Sequence, residues 1–291
     1  MALYNFGNAV LSAAGDTRRP LLYLLIAGIL NVALNLFFVI VCGMSADGVA
    51  LASILTQYLS SVLILIALVR TKDAYGVRPK CIRLHRDKLA PLLTLCCSAG
   101  LQNAIFAVAN LFIQAGVNRF DALMVEGNSA AANADGLIYD VMAAFHTACA
   151  SFIGQNYGAG NLKRVKNGMW VTLGMGVLYT LCTGALLLAF QNPIMHLFTS
   201  DETVVAFGCS AMHYFCPFYF LLAILHGMAG AVRGTGRSVP PMVVLLISLC
   251  LFRVVWIQFV LPFFAGIEGV FVLYPVSWAL GAVLMALYAW K

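Results

Sequence analysis

The sequence predicts an all-α integral membrane protein with eight complete transmembrane helices and one half-helix. Apolar residues make up 62% of the 291-residue chain and charged residues 10%, against about 45–50% and about 25% in soluble domains. Mean hydropathy is +0.93. The apolar residues fall in blocks of about 20, the length that carries a helix across a hydrocarbon core of about 30 Å, so the blocks read as helices and not as barrel strands.

With Gly, Pro and charge clusters as punctuation, the half-helix is Ala2 to Ala14. Full spans follow at Pro20 to Cys42, Gly48 to Val69, Ala90 to Ala115, Ala131 to Ile153, Gly168 to Phe190, Val205 to Val232, Pro241 to Phe264 and Gly269 to Trp290. The N-terminus has neither a basic n-region nor a small-residue cleavage site, so it does not read as a signal peptide. The nine cysteines form no CxxC pair and lie mostly inside spans. They read as small apolar packing residues, with no disulfide framework or metal site expected. No HExxH, GxSxG or dense His/Asp grouping occurs, so a membrane-embedded enzyme would lack its nucleophile or metal centre.

Loop charge orients the chain, because Lys and Arg accumulate in short cytoplasmic loops. Arg18 and Arg19, the run from Arg70 to Lys88, Lys163 with Arg164 and Lys166, and Arg233 with Arg237 mark one side. Asp47, Arg119 against Asp121 and Glu126, Asp201 with Glu202, and Glu268 mark the other. The two sets alternate without a break, placing the basic loops and the C-terminal Lys291 in the cytoplasm. The net charge of +6 then follows from topology and not from nucleic-acid binding. The run from Arg70 to Lys88 is also placed to meet anionic lipid headgroups.

An internal repeat appears at a constant offset of 221 residues. It pairs Gly15 and Pro20 with Gly236 and Pro241, Leu24-Leu25-Ile26 with Leu245-Leu246-Ile247, Phe38-Val39 with Phe259-Val260, and Asp47-Gly48-Val49 with Glu268-Gly269-Val270. Matching positions lie in like-charged loops six crossings apart, so the unit is six helices repeated in parallel. The expected organisation is residues 1–69 as the remainder of a first lobe, 70–89 as a cytoplasmic linker, and 90–291 as a complete six-helix second lobe. The opening helices of the first lobe have no counterpart here, which reads as an N-terminally truncated chain.

Ionisable residues inside spans are costly and so are functional candidates. The span Ala131 to Ile153 carries Asp135, Asp140 and His146. Tyr139, Met142 and His146 each fall within about 40° of Asp135 on a helical wheel. This stripe is expected to face a cavity, where Asp135 is a candidate carrier of the coupling ion. The competing readings are a solvated Asp135 near the headgroups and a satisfied core His146. Asp140 lies about 140° away from Asp135. Arg253, halfway along its span, needs a partner, with Asp135 or Asp140 the candidates. It serves either as a permanent ion pair or as a substrate contact. Gln102, Asn103 and Asn110 are candidate polar cavity residues. Asn31 and Asn35, at i and i+4, suit helix–helix hydrogen bonding. Aromatic and Met-rich walls suit bulky organic cations.

The segments YNFGNAVLSAAGDTRRP (Tyr4 to Pro20), AAANADGLIY (Ala130 to Tyr139), GQNYGAGN (Gly154 to Asn161) and VRGTGRSVPP (Val232 to Pro241) closely resemble multidrug and toxic compound extrusion transporters, in particular their bacterial DinF-like branch. The resemblance implies twelve helices in two lobes around a V-shaped cavity. It implies an antiporter in the bacterial inner membrane, monomeric when full length, exporting organic and often cationic drugs. Proton or sodium entry would drive export, with no cofactor besides the coupling ion. Many members carry an acidic residue in the helix matching Ala90 to Ala115, and that span has none. A lipid-linked oligosaccharide flippase of the same superfamily is the alternative; it calls for a more cationic cavity than Arg253 alone provides.

Overall fold

The computed structural model describes residues 1–73, 75–78, 83, 85–264 and 266–290, with only the backbone of Lys88, Leu95, Ser98, Ala99, Leu137 and Trp290. Lys80 and Cys81 of the basic linker and the terminal Lys291 lie outside the described residues. The chain divides into two compact units, Met1–Arg86 and Asp87–Lys291.

In the first unit, α1 (Ala2–Ala13) is short, α2 (Arg18–Leu36) runs on through a π-helical turn (Phe37–Val41), and α3 (Ala46–Arg70) is a full span. Its small core is Tyr4, Leu11, Ile64 and Leu68, and the Tyr4 hydroxyl donates to the Pro20 carbonyl at 2.8 Å.

The second unit holds α4 (Arg86–Val117), α5 (Ala122–Gly158), α6 (Leu162–Ala189), the short α7 (Gln191–Met195), α8 (Glu202–Phe215) and α9 (Tyr219–Gly234). Then come α10 (Val239–Leu245), a π segment (Leu246–Leu251), the single turn α11 (Phe252–Val255), a second π segment (Trp256–Val260) and α12 (Glu268–Trp290). A 3-10 turn at Cys216–Phe218 joins α8 to α9 into one broken span. Pro217 supplies the break, since it has no N–H to continue the ladder.

Among the described residues, eight helical segments are long and apolar enough to cross a membrane, and no strand occurs. Seven of the expected spans differ from these by a few residues at their ends. The eighth, α5, is 37 residues long where 23 were expected, and at 1.5 Å per residue it reaches about 55 Å, well beyond the hydrocarbon core. Its first turns are polar, with Glu126 and Asn128, so hydropathy alone assigns them to a loop.

Residues read as loop charges also start helices. The Asp121 carboxylate accepts from Leu123 N–H at 3.0 Å to cap α5. Asp201 accepts from Thr203 N–H at 2.8 Å to cap α8. Acidic residues at these positions satisfy orphan amides and meet the positive end of the helix dipole.

The repeat persists in the backbone. Gly15 and Gly236 both adopt the left-handed region, at φ 91° and 85°, where a Cβ is disfavoured. The helices on either side end at Ala13 and Gly234 and restart at Arg18 and Val239, all at the offset of 221.

α9 sits at the centre of the second unit, packed on α5, α6 and α12, because one side of it is built of small residues. A Cβ on Gly230 would stand 2.6 Å from the His146 carbonyl oxygen, and one on Gly234 would stand 2.7 Å from that of Ala150. The glycines are four apart on α9 and the carbonyls four apart on α5. The two backbones therefore meet over a full turn, the close approach that small-xxx-small sequences permit in membranes.

Candidate functional site

The α5–α9 contact sets Asp135, Tyr139 and His146 of α5 against Tyr219 and His226 of α9, with α11 and α12 closing the cluster. Asp135 is 9% exposed and Arg253 7%. Arg253 lies on the one α-helical turn between the two π segments, an irregularity often found at functional positions. Its Nε donates to the Ser277 hydroxyl at 3.0 Å, and its guanidinium carbon stands 4.7 Å from the Tyr274 ring centroid. Pro275, inside α12, has no N–H for the ladder at this level. The Trp278 indole N–H donates to the Tyr139 hydroxyl oxygen at 3.1 Å. The rings of Tyr139, Tyr219 and Tyr274 surround Trp278, with centroids at 6.5, 5.7 and 6.2 Å.

Asp135 and Arg253 share this core without forming an ion pair among the described residues. Oδ1 of Asp135 and Nη2 of Arg253 are both buried with no hydrogen-bond partner. The groups acting electrostatically on the Asp135 carboxyl are the Tyr219 hydroxyl and the Arg253 charge. Leaving a charged group buried and unpaired costs several kcal/mol. A carboxyl in this setting is suited to hold a proton or a small cation on its free oxygen.

The first unit has a simpler counterpart. Thr56, which the offset pairs with Ser277, accepts from Asn31 Nδ2 at 3.2 Å and donates to the Ala52 carbonyl at 2.9 Å. The hydroxyl is kept in both units, but its partner is not, since at this offset Asn31 pairs with Phe252 and Arg253 with Val32.

Two turns along α5 from Tyr139 and three from Asp135, the interior turns to histidine. The His226 ring centroid is 6.3 Å from that of Tyr139 and 6.5 Å from that of His146, nearly perpendicular to both. Beyond them, in the last turn of α9, Arg233 donates through Nη2 to the Gln102 side-chain oxygen.

A second polar surface lies on the outside of the same helices. On α4 Asn103, Asn110 and Gln114 are exposed and lie within about 20° of one direction. On α5 Ser129, Asn133, Asp140 and Thr147 are exposed and lie within about 40° of one another. Asp140 is the one charged residue of these seven. Exposed polar stripes along the middle of membrane-spanning helices do not suit lipid, and they belong against water or protein.

These placements revise the sequence reading. The stripe of Asp135, Tyr139, Met142 and His146 faces the packed interior, not an open cavity, because the small residues of α9 draw that face of α5 inward. Asp140 holds the open face instead. Gln102 also turns inward, to Arg233, and so leaves the face occupied by Asn103 and Asn110. Arg253 rests on Ser277 and Tyr274 and not on Asp135 or Asp140. The alternative of a solvated Asp135 near the headgroups does not fit its burial.

Sequence reasoning passed over Tyr219, Ser277 and His226. The rule that flagged His146 applies equally to His226, a lone imidazole inside an apolar span. Tyr219 and Ser277 carry no such signal, since a single hydroxyl in a span is ordinary until its neighbours are known.

Residues 99–257 match the MatE family model. The chain is 30% identical over 250 residues to a probable multidrug resistance protein YpnP of Bacillus subtilis, covering 86% of this chain and 56% of the relative. It is 24% identical over 253 residues to a probable multidrug resistance protein NorM of Thermotoga maritima, covering 83% and 53%. It is 25% identical over 288 residues to an FAD transporter of Shewanella oneidensis, covering 95% and 62%. The chain thus spans about half the length of the first two. Among solved structures it superposes on an outward-facing multidrug resistance MATE family transporter of the MOP superfamily with a TM-score of 0.90 at 19% identity, covering 98% of this chain and 64% of that one. It also superposes on a MOP superfamily transporter from Pyrococcus furiosus with a TM-score of 0.88 at 20% identity, covering 98% and 65%. A membrane-spanning helical fold and a family match over more than half of the chain give one conclusion: this chain belongs to the MatE family.

Proposed function

We propose that the protein to which this chain corresponds is an ion-coupled antiporter that exports organic, drug-like cations across the bacterial plasma membrane, acting as a monomer. The exposed stripe of α4 and α5 supports this reading most directly. It offers amides and hydroxyls for orientation and one carboxylate, Asp140, for charge. Such a surface suits a bulky cation and opposes a dianion such as FAD, or the phosphates of a lipid-linked sugar, which would call for Arg or Lys. In this reading Asp135 carries the coupling ion inside the lobe, while Asp140 meets substrate from the open face. The basic loops and the C-terminus face the cytoplasm, and residues 1–69 contribute to a first lobe.

The test compares Asp140→Asn with the unaltered residue, in a protein carrying a complete first lobe, using a matched pair of one cationic and one neutral substrate. Efflux of the cation should fall about tenfold, the equivalent of about 1.4 kcal/mol, with the neutral compound little affected. An equal loss for both, or none, overturns Asp140 as the charge-selecting residue.

A further inference from the structure

We propose that His226 and His146 form a single-proton exchange pair, joined through Tyr139 to Asp135 and lying between Asp135 and the Arg233 end of the lobe. The inference rests on the reading that Asp135 carries the coupling ion, and it commits that ion to being a proton.

The geometry supports it in three ways. First, the His226 Nδ1 lies 3.1 Å from the Leu222 carbonyl oxygen. A carbonyl only accepts, so Nδ1 holds the hydrogen and Nε2 keeps its lone pair free for a second proton. Second, the Tyr139 hydroxyl oxygen accepts from Trp278, which leaves its own hydrogen free to be passed on. Third, the Gly230 and Gly234 contacts hold α9 and α5 backbone to backbone, so the ring separations of 6.3 and 6.5 Å are set by rigid helices and not by long side chains.

The transfer balances simply. Asp135 gives its proton to Tyr139, Tyr139 gives its own to Nε2 of His226, and the resulting imidazolium passes a proton to His146. The products are a carboxylate at one end and an imidazolium at the other. Two imidazolium charges 6.5 Å apart would repel by about 1–2 pH units at an effective dielectric near 20, so the pair takes up one proton and resists a second. The titratable and charged groups facing the pair are Tyr139 on α5 and Arg233 on α9, with Cys149 of α5 directed at the Gly227 carbonyl. α6 and α12 carry their charges only in their first two turns, at Lys163, Arg164, Lys166 and Glu268. Arg233 adds repulsion to any proton on the pair and favours its release at that end.

The experiment is a pH titration of the chain in lipid bilayers, with 15N-labelled histidine read by solid-state NMR. The expected result is two coupled titration steps for His146 and His226. His226→Gln should shift the His146 midpoint by about one pH unit or more and leave a simple one-step curve. His146→Gln should do the same to His226, and Asp135→Asn should shift both by less. Independent titrations, with neither midpoint moved by loss of the partner, would overturn the pair; so would two rings that never take up a proton. Because the titration needs no transport, coupled histidines in a protein whose transport is unchanged by Asp135→Asn would sink the transport reading alone, whereas midpoints unmoved by Asp135→Asn would overturn the link to Asp135.

Discussion

Gly230→Ala tests how the interior cluster is held. The added Cβ would lie 2.6 Å from the His146 carbonyl oxygen and 3.3 Å from that residue's carbonyl carbon and Cα. An ordinary C–H···O contact between helices is about 3.3 Å, so α9 must retreat by about 0.7 Å. The obstacle is backbone, and no rotamer change relieves it. Overpacking of this kind costs about 1–3 kcal/mol, and replacing a helical glycine with alanine returns about 0.5–1 kcal/mol. The net loss is about 0–2.5 kcal/mol. Gly174→Ala is the control, since nothing stands within 4 Å of a Cβ there, and it should gain about 0.5–1 kcal/mol. Equilibrium unfolding in mixed micelles would read the difference between the two variants. A Gly230→Ala protein as stable as the Gly174→Ala protein would refute the backbone contact and, with it, the rigid placement of His226 against His146.

Two further outcomes follow from the same structure. Ser277→Ala removes the acceptor for Arg253 Nε and leaves a buried guanidinium short of a bond, which should cost about 1.5–3 kcal/mol in the same unfolding assay; Ser277→Thr should restore most of it. In a cysteine-free background, single cysteines near Lys163 should be labelled only after permeabilisation and those near Asp201 in intact cells, and the reverse pattern would invert the proposed topology.

The helices were legible because hydrophobic length is a direct consequence of the bilayer, and the repeat was legible because a left-handed glycine and a first-turn proline recur at one offset. The candidate residues were legible only as a set. Periodicity placed Asp135, Tyr139 and His146 on one face of α5 but could not say whether that face met water or α9. The answer lay in Gly230 and Gly234, whose meaning depends on a neighbour about 84 residues away. Asp140 illustrates the opposite error. It looked out of place because it left the polar stripe, yet it marks a second stripe with Ser129, Asn133 and Thr147, residues too small and too weakly polar to stand out in sequence. The π segments around Arg253 also left no trace in hydropathy, since a π turn and an α turn bury the same kinds of side chain.

The central claim is that Asp135 couples ion entry to export. Its most direct test is Asp135→Asn in proteoliposomes, in a protein carrying a complete first lobe, with gradient-driven drug transport and equilibrium drug binding measured on one preparation. The account predicts that binding persists and that transport no longer responds to an imposed ion gradient. Gradient-driven transport by Asp135→Asn at the unaltered rate would contradict it.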